Sequence, residues 1–154
     1  GFQSDQFRQL EFVLGRRTAA ALDRFPAGSR ASAALVIRLR EPSLWTSFLA
    51  YLQREGHAVP AAALAAEPTE PIVPSPELQQ TLVGVYKTDA KNAEICERLV
   101  DLDEGVQEWR YRHMKMVERT IGTQSGTGGS SGAAYLRTTI SAAFPDLWAI
   151  RSQL

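Results

Sequence analysis

The chain has 154 residues, 44% of them apolar, with 17 Lys plus Arg balanced by 17 Asp plus Glu. That is enough apolar material for the core of one domain, or for part of a larger one, and the zero net charge argues against broad electrostatic binding to nucleic acid or an anionic membrane, although a small basic pocket stays open. A single cysteine, Cys96, excludes a disulfide within the chain and suits a reducing cytoplasm; no apolar run approaches the roughly 18 residues of a spanning helix, and no signal peptide is visible.

The chain opens at "GFQSDQFRQLEFVLG" without an initiator Met and directly in an apolar-periodic pattern, as expected of a chain cut from something longer. Residues 2–15 read as a helix ending at Gly15, with Phe2, Gln6, Phe7, Leu10, Val13 and Leu14 on one face. "RTAAALDRF" (17–25) reads as a short helix stopped by Pro26, and "SRASAALVIRLR" (29–40) as a helix, although "ALVIRL" alone fits a strand. In "EPSLWTSFLAYLQREG", Pro42 suits a first turn and Ser43 a cap; Leu44, Trp45, Phe48, Leu49 and Leu52 form one stripe, and Gly56 ends it. Residues 57–76 carry five prolines and read as an irregular excursion. Ser75, Pro76 and Glu77 then open a helix over 75–88.

The longest expected element covers about 92–121. Ile95, Leu99, Leu102, Val106, Trp109, His113, Met116 with Val117, and Ile121 recur at three- and four-residue steps and predict a single apolar stripe. Gly105 costs this helix roughly 1 kcal/mol against Ala, and Gly122 terminates it. After a glycine-rich loop (123–132), "SSGAAYLRTTISAAF" and "PDLWAIRSQL" read as two final helices. The fold class expected is all-α, without internal repeats.

Within this framework the stretch with most chemistry is "EWRYRHMKMVERTIGTQSGTGGSSG". His113 lies in the apolar stripe, and its plain reading is a core histidine bonded to a neighbour. A zinc site needs a second ligand three or four residues away, and Trp109, Arg110, Met116 and Val117 stand there instead. One imidazole on an apolar face is, by contrast, what a haem asks of its protein. No Cys-x-x-Cys-His motif is present to attach one covalently. The glycine loop lacks the Lys of a Walker motif and follows a helix rather than a strand, so both nucleotide readings are weak. A flexible connector remains, as does a loop that closes over a small anion, with Thr127 supplying a hydroxyl. His57 reads as a surface or capping residue and Cys96 as a small core residue. Arg110, Arg112, Lys115 and Arg119 wind around the helix and read as mostly solvated, with one free to reach a propionate.

"FQSDQFRQLEFVLG" (2–15), "REPSLWTSFLAYL" (40–52), "WRYRHMKMVERTIG" (109–122), "GTGGSSGAAYLR" (126–137) and "FPDLW" (144–148) resemble the tryptophan 2,3-dioxygenases, above all their bacterial members. The resemblance covers nearly the whole chain, in order. It implies a helical fold and non-covalent haem b. It also implies insertion of both atoms of O2 across the indole C2–C3 bond of L-tryptophan to give N-formylkynurenine, the first step of tryptophan catabolism. On this resemblance His113 matches the proximal iron ligand. Thr127, flanked by Gly126 and Gly128, matches the loop that contacts the amino and carboxylate end of the substrate. Trp109, one turn before His113, is expected to pack beside the haem or to fix the imidazole's orientation, its plain reading being a core aromatic; on the resemblance, Arg8 falls on a family arginine that serves either the propionates or the fold. The family's distal His, its carboxylate-binding Arg and a Ser belong to a stretch before "GFQS", so no catalytic residue is expected in this chain. Residues 1–154 then read as the C-terminal part of one haem-binding domain whose partner is the N-terminal segment of the same protein, in a cytoplasmic homotetramer without nucleic-acid or membrane partners. A related haem monooxygenase or hydroxylase acting on an aromatic amino acid, and a truncated, non-enzymatic haem-binding module, are the alternatives.

Overall fold

The computed structural model describes residues 5–16, 22–23, 25–124 and 132–154. Every regular element among them is helical: α1 (Asp5–Val13), α2 (Arg30–Arg40), α3 (Leu44–Arg54), α4 (Ala61–Leu64), α5 (Pro76–Thr88), α6 (Ala90–Ile121), α7 (Ala133–Thr138), α8 (Pro145–Ala149) and a closing 3-10 turn (Ile150–Gln153). The expected all-α class holds. The short helix expected over 17–25 falls largely outside the described residues.

The helix starts are set locally. Ser29, Ser43, Ser75 and Asp89 each accept a bond from the backbone N–H three residues on, satisfying a donor that the first turn leaves free. This settles 29–40 as helix rather than strand. It also corrects the place of Pro42: because Ser43 is the cap, α3 begins at Leu44 and the proline stands outside it. Pro76 does occupy the first turn of α5. At Gly15, φ is +85°, and an added Cβ would lie 3.0 Å from Ser43 Cβ, so the exit from α1 needs glycine for both conformation and space. Within 57–76 the chain makes the single turn of α4, and Val59 is buried.

The core gathers Trp45, Phe48, Leu49 and Leu52 of α3, Leu78, Leu82 and Val85 of α5, Cys96, Leu99, Val100 and Val106 of α6, and Phe144, Leu147 and Ile150 from the C-terminal end. Trp45 stacks on Phe144 with centroids 5.4 Å apart. At 1.5 Å per residue the 32 residues of α6 extend about 48 Å, so one helix runs from this core to the neighbourhood of His113.

Two expectations about α6 and its sequel are corrected. The buried face of α6 is Asn92, Cys96, Leu99, Val100, Asp103, Val106, Arg110 and Met114, whereas Leu102, Trp109 and Met116 of the expected stripe are 36%, 43% and 56% exposed. The packed face is displaced because three polar residues hold core positions, and each finds partners there. Asn92 accepts from Tyr51 and donates to Asp89. Asp103 accepts from the N–H groups of Ala143 and Phe144 and from Trp148 Nε1. Arg110 bonds Glu11 and the Thr139 carbonyl. A buried polar group with its partners in place costs little, so apolarity alone misreads the face. The helix after the glycine loop is also shorter than expected. It ends at Thr138, where the hydroxyls of Thr138 and Thr139 donate back to the carbonyls of Tyr135 and Leu136.

Candidate functional site

His113 lies on the flank of the buried face of α6, half-buried, eight residues before the helix ends. Gly122 stops the helix in a positive-φ conformation (φ +60°) with its N–H bonded to the Glu118 carbonyl. The imidazole is stacked on Trp109, one turn earlier, with the rings 7° from parallel and centroids 5.2 Å apart. Trp109 stacks in turn on Phe7 of α1 at 4.1 Å and 21°. Among the described residues, none forms a hydrogen bond or ion pair with the His113 ring. The plain core-histidine reading asks for a bonded neighbour, and none of the described residues supplies one.

Beside the ring is a small pocket of about 30 Å³, lined by Phe7 and Glu11 of α1, Trp109, Arg110 and His113 of α6, and Leu136 and Thr139 at the end of α7. This volume is water-sized. Arg110 is its polar wall and the exception among the basic residues of this stretch, since Arg112, Lys115 and Arg119 are exposed as expected. Its side chain is 5% exposed, ion-paired with Glu11, bonded to the Thr139 carbonyl and 5.2 Å above the Phe7 ring. Among the described residues its Nε has no hydrogen-bond partner. Desolvation lowers the Arg110 pKa from its usual value, Tyr135 opposing this more weakly. Arg16 reaches the same Thr139 carbonyl at 3.0 Å and Ser141 Oγ at 2.8 Å, so two guanidinium groups converge on the segment that follows α7. Arg112 and Lys115 do lie outside, paired with Glu108 and Glu118 along the helix.

Of the residues expected at the site, the structure brings His113 and Trp109 together. The side chain of Arg8 and the residues Gly126, Thr127 and Gly128 lie outside the described residues. Sequence reasoning missed Glu11, Arg110 and Thr139, whose roles appear only when α1 and the segment after α7 meet α6; it had placed Phe7 on the apolar face of the first helix. His57 sits away from this site, with Nε2 3.0 Å from Asp89 Oδ2, the carboxylate that caps α6. Cys96 is fully buried, and desolvation pushes its thiol up to about 12, which leaves it protonated and inert at neutral pH. Among the described residues no cluster of three His, Cys, Asp or Glu could hold a bare metal ion, and no helix is long and apolar enough to cross a membrane.

Comparison with known proteins fits this arrangement to one family. A family model described as tryptophan 2,3-dioxygenase matches residues 78–154, which include all of α6 and the C-terminal elements. The chain is 56% identical over 154 residues to the tryptophan 2,3-dioxygenase of Herpetosiphon aurantiacus, covering all of this chain and 59% of that protein. It is 54% identical over 156 residues to that of Anaeromyxobacter sp. strain K, with all of this chain and 58% of the relative covered. Against that of Saccharopolyspora erythraea it is 45% identical over 158 residues, again over the whole chain and 56% of the relative. The chain thus spans less than two thirds of the length of these curated relatives. With the family's own model matching the half of the chain that carries His113, and whole-chain identities of this size, the chain belongs to the tryptophan 2,3-dioxygenase family.

Proposed function

We propose that this chain forms the iron-ligand side of a haem-dependent dioxygenase that converts L-tryptophan and O2 to N-formylkynurenine. Both oxygen atoms enter the product across the indole C2–C3 bond, so no external reductant is consumed in the overall reaction. The observation that carries the reading is His113: a half-buried imidazole with no hydrogen-bond partner among the described residues, walled by Trp109 and beside a water-sized pocket. A single imidazole beside an aromatic ring fits haem, which asks for one nitrogen from the protein, better than a bare ion, which needs three or four protein ligands.

In this reading His113 would hold the haem iron through an imidazole nitrogen. Trp109 presents an aromatic wall and holds the imidazole plane. Thr127, with Gly126 and Gly128, receives the charged amino and carboxylate end of the substrate, and Arg8 lies near the propionates or supports the fold. Haem b, when bound, supplies the iron that activates O2. No acid–base group on the substrate side is assigned to this chain. Haem b as the haem type, a homotetrameric assembly and a cytoplasmic setting are part of the same proposal. The names of the relatives favour dioxygenation over the monooxygenase and haem-module alternatives.

The test is His113→Ala in the full-length protein. Haem content and the Soret band should be lost or strongly altered, and N-formylkynurenine formation should fall below detection. Retention of haem, spectrum and turnover would remove His113 from the iron.

A further inference from the structure

We infer that Phe7, Glu11 and Arg110 are positioning residues for the His113 imidazole, acting on it through Trp109. The inference rests on the haem reading above and names what orients the ligand within it.

The helix fixes where His113 leaves the backbone but not how its ring is turned, because rotation about χ2 of histidine is only loosely constrained. Axial histidines are commonly oriented by a hydrogen bond from the second ring nitrogen. Among the described residues no such acceptor meets His113. What does meet it is a near-parallel Trp109 ring, 7° and 5.2 Å away. Trp109 is 43% exposed and would orient little by itself. Phe7 covers it at 4.1 Å, and Phe7 in turn carries the Arg110 guanidinium 5.2 Å above its ring. Arg110 is held by the Glu11 carboxylate and the Thr139 carbonyl.

The four-residue spacing of Phe7 and Glu11 puts them on one face of α1, where they meet the consecutive residues Trp109 and Arg110. The ion pair thus fixes the same face that covers the indole. A buried ion pair is weak evidence for stability, since desolvation offsets most of its attraction. Its effect here is geometric: it sets the depth and register of a nine-residue helix on α6.

The rival is that the pair merely docks α1 and leaves the imidazole indifferent. The two separate in the ferrous, haem-loaded, full-length protein, by the iron–histidine stretching band in resonance Raman spectra and by the rate of haem transfer to apomyoglobin. Phe7→Leu and Glu11→Gln should each shift or broaden the band and speed haem loss roughly three- to tenfold. Phe7→Tyr, which keeps the stack, should restore both. Arg112→Gln, on the solvent side and paired with Glu108 at 2.6 Å, should change neither. Phe7→Leu removes no charge from the interior, so it tests the stack even where Glu11→Gln fails to fold. An unchanged band and haem-loss rate in Phe7→Leu, with only the melting temperature lowered, would overturn the inference. A parent protein with no iron–histidine band would overturn the haem reading itself.

Discussion

The two halves of α6 are built differently. From Ala90 to Val106 the helix is embedded, with Asn92, Cys96, Leu99, Val100, Asp103 and Val106 buried among α3, α5 and the C-terminal segment. From Gln107 to Ile121 only Arg110 and Met114 are buried, and Trp109, Tyr111 and Met116 are exposed. The first half is held by apolar packing around a carboxylate; the second is held at Arg110 by Glu11 and Thr139. The difference shows how one long helix can serve as a rigid mount. More of the helix is buried in the half away from His113, and in the proposed reading the less buried half is the one that presents the imidazole to the haem.

The largest effect expected from this division is at Asp103. Its carboxylate accepts from Ala143 N–H, Phe144 N–H and Trp148 Nε1, all near 3 Å, and is fully buried. Asp103→Ala leaves two buried backbone donors and an indole N–H without an acceptor and opens a cavity, so it should cost about 3–5 kcal/mol in urea denaturation. A loss below about 1 kcal/mol would mean that the embedded half does not depend on this carboxylate, and the comparison between the halves would fail.

A smaller and opposite pattern is expected at Trp109. Because the indole is 43% exposed, Trp109→Phe should cost no more than about 1 kcal/mol of stability. It should nevertheless alter the haem spectrum or reduction potential of the full-length protein, because it changes the ring stacked on His113. A melting temperature that falls while the haem signals stay fixed would make Trp109 an ordinary core aromatic and erase the functional half of the contrast.

The same contrast explains what was legible in the sequence. Caps at Ser43 and Ser75 and the existence of a long helix ending at Gly122 were readable because they depend on neighbours a few positions away. The buried face of that helix was readable in part: Leu99, Val106 and Cys96 are buried as expected, whereas Leu102, Trp109 and Met116 are exposed. Asn92, Asp103 and Arg110 look like solvent residues until their distant partners are known, which lie 41 positions away for Asn92, 40 to 45 for Asp103, and 29 and 99 for Arg110. His113 stood out because it is the one imidazole in the expected apolar stripe and matches a family motif. Phe7 was assigned to an apolar face but not to this stack, and Glu11 was not singled out at all, since only tertiary packing brings α1 over Trp109.

The smallest expected effect concerns the base of the mount, where Glu97 joins α6 to α5 and to the C-terminal turn. Its carboxylate accepts from Tyr86 OH at 2.6 Å and from Arg151 at 2.7 Å, and Arg151 also donates to the Tyr86 oxygen at 3.1 Å. The Tyr86 hydrogen bond, followed by that of Arg151, holds the Glu97 pKa below its ordinary value of 4.5, against the opposing effect of burial. A carboxylate whose pKa is lower folded than unfolded binds protons more readily when unfolded. Its contribution is therefore fully present above about pH 4.5 and fades as pH falls through that value toward the lowered one. Glu97 is about half exposed, so solvent screening limits the contribution to under about 1 kcal/mol. Glu97→Gln should lower stability slightly at pH 7 and by less at pH 3, so the gap between parent and variant narrows on acidification. Denaturation curves at the two pH values measure that gap. A gap that persists unchanged at pH 3 would show that Glu97 acts by shape alone, and that the embedded half owes its hold to packing without this ion pair.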